Sequence, residues 1–175
     1  GGEEMLALKE AGIPCEEVPG ISSAIAIPAA AGIPVTHRDC CSSLHIVTGH
    51  QRAGKELAID FEALVRTGGT LVFLMGLGRL EQIASRLMEG GRRGDTPAAV
   101  LSGGNSPHPA VVRGTLETIA QRAAGVRPPA VIVVGETAAL DLSPTVFRPM
   151  SGVRVGITGT EQVAQRLKRA LEELG

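Results

Sequence analysis

The sequence predicts an α/β fold in which helices flank a mixed sheet. Short and almost continuous apolar runs recur along the chain, most clearly at residues 70–75 and 130–134, and such runs are typical of strands covered on both faces. Segments with apolar residues at helical spacing lie between these runs. The 23 glycines and the apolar fraction of 43% fit a globular protein with many tight turns.

The amino-terminal residues predict a short helix and then a short strand. Residues 3–11 are amphipathic, with Met5 and Leu8 on one face, and Gly12 is the expected stop. Residues 14–18 are predicted to form the strand, which leads the chain into its first tight turn.

A turn and a helix of small residues follow. Pro19-Gly20 suits the turn, and Ser22 is the predicted helix cap. Pro28 lies inside the helix and predicts a kink or a local break, because proline removes a backbone N–H and its ring crowds the preceding turn. Gly32 and Pro34 end the helix.

The remaining segments alternate between strand and helix, with Asp60, Thr115 and Thr160 as predicted helix caps. Residues 153–158 and the helix after Thr160 could equally be an ordinary βα unit that packs on the preceding domain. The predicted order is strand 44–48, helix 60–66, strand 70–75, helix 80–88, strand 97–101, edge strand 111–112, helix 115–123, strand 130–135, strand 153–158 and helix 160–174.

Two linker-like stretches, at residues 39–43 and 144–150, predict the domain organisation. We expect four segments, which are residues 1–42, 43–142, 143–151 and 152–175. The first is the end of a truncated domain, the second is complete, the third is a linker, and the fourth begins a further unit.

Composition excludes several classes of function. A net charge of −1 and an aromatic content of 2% argue against a nucleic-acid-binding surface. No run is apolar and long enough to cross a bilayer, and the first residues lack the pattern of a signal peptide. Three cysteines, two of them adjacent, make no disulfide framework and fit no zinc spacing, alone or with His45 and His50. We therefore expect a cytoplasmic protein that needs no metal.

Two nucleotide-binding motifs are incomplete. Residues 49–55 have the spacing of a phosphate-binding loop, but Glu56 follows where Mg²⁺ binding needs Ser or Thr. Gly76-Leu77-Gly78 begins like a dinucleotide fingerprint, but Glu81 replaces the third glycine. We interpret both as ordinary loops.

Glycine follows three of the predicted strands, in Met75-Gly76, Ser102-Gly103-Gly104 and Val134-Gly135. In open α/β sheets, ligands bind in the crevice outside the carboxyl ends of the strands. Glycines leave the backbone there accessible to a flat heterocycle, although three ordinary tight turns would leave the same pattern.

Residues 18–38, VPGISSAIAIPAAAGIPVTHR, resemble the corresponding signature of the uroporphyrinogen-III C-methyltransferases, which are tetrapyrrole methylases. The resemblance extends from residue 1 to about residue 142. It implies a tetrapyrrole methylase-like fold, S-adenosylmethionine as cofactor, a tetrapyrrole substrate on the path to sirohaem or cobalamin, and a homodimer. Residues 152–175 resemble the first strand and helix of uroporphyrinogen-III synthase.

The resemblance also implies site residues. The predicted cofactor contacts are Ser22, Ser23, Met75, Gly76, Ala98, Gly104 and Asn105, and Asn105 stands where the family has Thr. Arg38 of Thr36-His37-Arg38, Glu3 and Met75 are the predicted substrate contacts, and a guanidinium suits the carboxylates of the macrocycle. No general base is evident, so the resemblance implies catalysis by positioning.

The glycine-rich loops that begin the family's cofactor site are not among these residues. We therefore expect the isolated chain to be inactive and to bind S-adenosylmethionine weakly or not at all. The alternatives are a methylase of a later corrin precursor, a nucleotide-phosphate-binding module built on residues 49–55, and a non-catalytic dimerisation module.

Overall fold

The computed structural model describes residues 2–49, 59–104, 106, 109–143, 150 and 153–174. Within these ranges the helices are α1 (Gly2–Glu10), α2 (Ser23–Ala30), α3 (Phe61–Thr67), α4 (Leu80–Glu89), α5 (Ile119–Arg122) and α6 (Glu161–Glu173). The strands are β1 (Leu44–Thr48), β2 (Thr70–Leu74), β3 (Pro97–Ser102), β4 (Ala110–Thr115) and β5 (Ala130–Val134).

The strands form one mixed sheet in the order β1-β2-β5-β3-β4, which confirms the predicted fold class. β1 and β2 are parallel, whereas β5 is antiparallel to both β2 and β3. β1, β2 and β3 therefore run in one direction and end on one side of the sheet, which we call the carboxyl edge. The other side, where β2 starts at Thr70 and β3 at Pro97, is the amino edge.

Apolar residues cover both faces of the sheet. On one face, α3, α4 and α5 pack through Phe61, Leu80, Ile83, Leu87 and Ile119. On the other face, α2 and the residues after it pack on the central strands. The buried members of this second cluster are Ala24, Ile33, Val72, Ala99, Leu101, Val131, Val133 and Ala138. This two-sided burial explains why β2 and β5 read as continuous apolar runs.

The small-residue helix α2 forms as the sequence predicts. The Ser22 hydroxyl accepts a hydrogen bond from the backbone N–H of Ala24, at 3.2 Å. At the other end, Gly32 has a φ of +68°, and the N–H of Ile33 donates to the carbonyl of Pro28 at 2.8 Å. This is the hydrogen bond of a Schellman stop. The helix continues through Pro28 to Ala30, so the expected local break does not occur.

Three predicted elements are wrong. Residues 14–18 and 153–158 form no strand, because no strand among the described residues lies beside them to complete the hydrogen bonds. The helix predicted from Thr115 begins only at Ile119, because Thr115 instead pairs with Pro97 at the end of β4. The apolar residues of that segment, Leu116, Ile119 and Ala123, are nevertheless buried as expected.

The last helix, α6, buries none of its residues. Val163 and Leu167 of its apolar stripe are each about half exposed. It therefore does not pack as a βα unit on the preceding domain within the described residues. The predicted linker at residues 144–149 lies outside the described part of the chain. None of the described helices has the length and apolar character needed to cross a membrane.

Candidate functional site

Glycine-containing turns lie at the carboxyl edge, as the sequence predicts for two of the three strands. Met75 and Gly76 follow β2, and Gly103-Gly104 follows β3. The first residue of β5 lies between them, since Ser102 pairs with Ala130 and Leu74 with Val131. The ends of β2 and β3 are thus two strand spacings apart, about 10 Å.

Gly135 lies at the opposite edge, which corrects the expectation that it joins the other two turns. Because β5 is antiparallel to β2, its carboxyl end meets the amino end of its neighbour. A Cβ on Gly135 would lie 3.2 Å from the carbonyl oxygen of Gly69, just before β2. This glycine therefore serves close backbone packing.

Met75 is an exposed residue held in a strained conformation. Its φ of 55° lies in the left-handed region, which is costly for a side chain with a Cβ. Its side chain is 63% exposed, so apolar burial does not explain the choice of methionine. Exposed, strained residues cluster at ligand sites, which favours a functional role here.

Met75 borders a large apolar cleft on the α4–α5 side of the carboxyl edge. The cleft has a volume of about 1090 Å³, at the upper end of the sizes typical of small-molecule sites. Glu81 and Gln121 are the polar side chains of its wall. The full lining is Met75, Leu77, Gly78, Leu80, Glu81, Ala120, Gln121, Ala123, Ala124, Val126, Pro128, Pro129 and Ala130.

No functional role was predicted for one wall of this cleft, residues 128–130, which we call the diproline wall. Pro128 and Pro129 immediately precede β5, and the diproline is visible in the sequence. Its position at the carboxyl edge depends on the antiparallel direction of β5, which the sequence pattern does not encode.

The glycine of the incomplete phosphate-binding motif has a packing role. The N–H of Gly49 donates to the carbonyl of Leu74 at 2.7 Å, and a Cβ on Gly49 would lie 2.6 Å from the Cα of Gly76. The two glycines let the ends of β1 and β2 approach each other. Residues 50–55 of the motif lie outside the described part of the chain.

Helix α2 reaches the carboxyl edge through Ile27. Its side chain packs directly on Gly104, where a Cβ would collide with the isoleucine. After the helix, the carbonyl of Gly32 accepts a hydrogen bond from the N–H of Leu142 at 2.7 Å. Ser22 and Ser23 are exposed at the start of this helix.

Arg113 fixes the orientation of α2, a role that the sequence did not reveal. Its guanidinium donates to the carbonyls of Ala138 at 2.7 Å, Leu140 at 2.8 Å and Ala31 at 3.3 Å. Asp141 is 3.8 Å away. A smaller cavity of about 240 Å³ lies beside these groups and also borders Gly104 and Ile27.

The predicted substrate residue Arg38 lies near the amino edge of the sheet, opposite the edge at which the cleft lies. It belongs to a tight turn in which the N–H of Cys41 donates to the carbonyl of His37 at 2.8 Å. The Cys41 thiol lies 3.1 Å from the hydroxyl of Thr70, at the amino edge. Thr70 is separated from Met75 by the length of β2, about 16 Å. Arg38 therefore does not lie beside the glycine turns of the carboxyl edge.

Arg38 and Glu3 are nevertheless accessible. Both are exposed, and within the described residues Arg38 has no ion pair or hydrogen bond of its side chain. Its guanidinium is therefore available to an external carboxylate. Glu3 lies in the first turn of α1, a helix with no buried residues.

One predicted cofactor residue, Ala98, is not brought to the site. Ala98 is fully buried near the amino end of β3, four residues or about 13 Å from Ser102, which argues against a direct contact with a ligand. Asn105 lies outside the described residues. Among the described residues, no three His, Cys, Asp or Glu side chains converge as a metal site would require.

Comparison with known proteins gives three similarities. The family description of the tetrapyrrole (corrin/porphyrin) methylases matches residues 1–120. The uroporphyrinogen-III C-methyltransferase of Methanocaldococcus jannaschii is 45% identical over 140 residues, which are 78% of this chain and 57% of the relative. The porphyrin biosynthesis protein HemD of Ruminiclostridium josui is 40% identical over 179 residues, covering 100% of this chain and 36% of that protein.

A solved structure shows the same fold. The uroporphyrin-III C-methyltransferase of Thermus thermophilus, in complex with S-adenosylhomocysteine, is 36% identical with a TM-score of 0.67. The match covers 78% of this chain and 59% of that one. The chain thus spans between about a third and three fifths of the length of these relatives.

Proposed function

Since the chain belongs to the tetrapyrrole (corrin/porphyrin) methylase family, we propose that its function is the S-adenosylmethionine-dependent C-methylation of uroporphyrinogen-III to precorrin-2. The proposal rests on Met75, which has a strained backbone conformation and an exposed side chain beside an apolar cleft at the carboxyl edge. The similarity to an enzyme in complex with S-adenosylhomocysteine supports the choice of cofactor.

The chemistry of the cleft fits the adenosyl part of this cofactor. Its wall is mainly apolar, as a flat heterocycle requires, and its volume leaves room for the nucleoside. Met75 and Gly76 would border the nucleoside. The backbone of Gly104 and the hydroxyls of Ser22 and Ser23 would contact the polar amino-acid tail of the cofactor. Asn105 and Ala98 remain predictions, and the placement of Ala98 does not favour it.

When bound, S-adenosylmethionine supplies a methyl group on a sulfonium, which a nucleophilic pyrrole carbon of the substrate attacks in line. The residues of this chain hold the reactants in that line and exclude water. Arg38 would bind a carboxylate of the macrocycle, and we propose Glu3 and Met75 as further substrate contacts. Because Arg38 lies at the amino edge, we propose that it binds the periphery of the macrocycle, away from the transferred methyl group.

Binding of S-adenosylhomocysteine to the purified chain tests the cofactor assignment. We expect weak but saturable binding in titration calorimetry, weakened further by Met75→Ala. Leu142→Ala is the matched control, because Leu142 is 61% exposed, similar to Met75, but does not line the cleft. Equal affinity of both variants would contradict the role of Met75. Absence of binding even by a chimera that supplies the amino-terminal part of the Methanocaldococcus jannaschii relative would contradict the cofactor assignment.

Methyl transfer from radiolabelled cofactor to a panel of tetrapyrroles tests the substrate. We expect no turnover by this chain alone, and uroporphyrinogen-III as the preferred acceptor once a chimera supplies the amino-terminal part of the Methanocaldococcus jannaschii relative. Preference for a later corrin precursor would support the alternative methylase. Affinity for ATP that is lost in Lys55→Ala would support the phosphate-binding alternative.

We also propose a homodimer in the cytoplasm, with the domain limits given above. Residues 152–175 would begin a synthase unit, and the relative from Ruminiclostridium josui, which matches the whole chain, supports this assignment. Sedimentation that shows only monomer would contradict the dimer.

A further inference from the structure

The diproline wall of the cleft has few backbone N–H groups with which it could form hydrogen bonds to the rest of the protein. Pro128 and Pro129 follow Arg127, and proline has no backbone N–H. Both prolines and the next residue, Ala130, line the cleft. The segment therefore offers the rest of the protein mainly carbonyl acceptors, and its position depends on a donor from elsewhere.

Ser102, the last residue of β3, supplies that donor. Its hydroxyl lies 2.6 Å from the carbonyl oxygen of Arg127 and 3.2 Å from that of Pro129. A hydroxyl has one proton, so the shorter bond to Arg127 is the main one and the second is shared. Within the described residues, no other side chain donates to these two carbonyls.

The same residue leads directly into the glycine turn of the site. Gly103 and Gly104 follow Ser102, and Gly103 has a φ of +63°. Ser102 also pairs with Ala130 across the sheet. One side chain therefore couples the turn at the end of β3 to the diproline wall of the cleft.

We propose that Ser102 is a positioning residue that holds the diproline wall at the distance from Met75 that the adenosyl group requires. This inference rests on the proposed function, because it assumes an adenosyl ligand in the cleft. Ser102 does not itself line this cleft and acts through Arg127 and Pro129.

The test compares Ser102→Ala with Ser102→Thr and with Thr67→Ala in the full 175-residue chain. Thr67, at the end of α3, makes the same kind of bond, from its hydroxyl to the carbonyl of Leu64 at 3.1 Å, remote from the cleft. We expect Ser102→Ala to raise the Kd for S-adenosylhomocysteine and for 5′-methylthioadenosine by the same factor, about five- to tenfold, as the loss of one hydrogen bond predicts. Thr67→Ala should leave both constants unchanged, and Ser102→Thr should restore them.

A second measurement needs no ligand. Amide exchange of the segment 123–131 should be faster in Ser102→Ala than in the unmodified chain or in Thr67→Ala, because the wall has lost its anchor. Unchanged affinity in Ser102→Ala, or an equal loss in Thr67→Ala, would overturn the inference alone. Absence of saturable binding even by the chimera that supplies the amino-terminal part of the Methanocaldococcus jannaschii relative would overturn the proposed function. Unchanged exchange in Ser102→Ala would overturn the anchoring.

Discussion

Replacing Met75 separates the cost of its backbone conformation from the use of its side chain. Met75→Ala removes the side chain but keeps a Cβ in the left-handed region, whereas Met75→Gly removes both. Comparison of the two variants with each other therefore measures the conformational strain. Comparison of Met75→Ala with the unmodified chain measures the contribution of the side chain.

The expected difference in stability follows from the φ of 55°. The left-handed conformation costs a residue with a Cβ about 1–2 kcal/mol. Glycine loses about 0.5–1 kcal/mol through its larger freedom in the unfolded chain. Met75→Gly should therefore be more stable than Met75→Ala by about 0–1.5 kcal/mol. Because Met75 is 63% exposed, both variants lose only a minor part of the stability that full burial of methionine provides, about 0.5–1 kcal/mol.

The affinity for S-adenosylhomocysteine should depend on the Met75 side chain and not on the backbone strain. Both variants lose the side chain beside the cleft, so both should bind S-adenosylhomocysteine more weakly by a similar factor, about tenfold for a contact of about 1.4 kcal/mol. Urea denaturation gives the free energies of unfolding, and calorimetry gives the affinities. A Met75→Gly variant that is less stable than Met75→Ala would refute the strained backbone. Full affinity in Met75→Gly would show that the ligand contacts the backbone rather than the side chain.

Three further predictions concern the surroundings of the site. Gly104→Ala should destabilise the chain by about 1–3 kcal/mol through collision with Ile27, and Ile27→Ala in the same chain should recover part of that loss; additive costs in urea denaturation would contradict the contact. Arg113→Met should cost about 2–3 kcal/mol because it leaves carbonyls without their donor, and Arg113→Lys should restore little because lysine lacks the planar fork; full stability of the lysine variant would show that charge alone suffices. The hydroxyl and N–H of Ser143, with a smaller effect of Arg113, lower the pKa of Asp141. Ionised Asp141 therefore stabilises the fold above its unfolded pKa, and this stabilisation is lost as the pH falls through its lower folded pKa. Ser143→Ala should be less stable than the unmodified chain near neutral pH and equal to it in acid.

The local elements could be predicted from the sequence because their causes are local. The Ser22 cap, the Asp60 cap and the stop at Gly32 each depend on hydrogen bonds within a few residues. The apolar runs of β2 and β5 predict buried strands for the same reason, since the run itself records cover on both faces. The motif at residues 18–38 carries the family resemblance, and the match over residues 1–120 confirms the family.

The tertiary structure decided how those elements meet. An apolar run does not indicate the direction of its strand in the sheet. The antiparallel pairing of β5 is what places Gly135 at the amino edge and the diproline wall at the carboxyl edge. The segments 14–18 and 153–158 have strand-like patterns but no described strand beside them, and a strand needs a partner for its backbone. The strain at Met75, the fork of Arg113 and the distance of Arg38 from the cleft are all relations between segments remote in sequence. The sequence by itself determined the five strands of the sheet and most of the helices, because their patterns and caps are local. Long-range pairing decided which strand-like segments find a partner and which strand ends share an edge and therefore form the site.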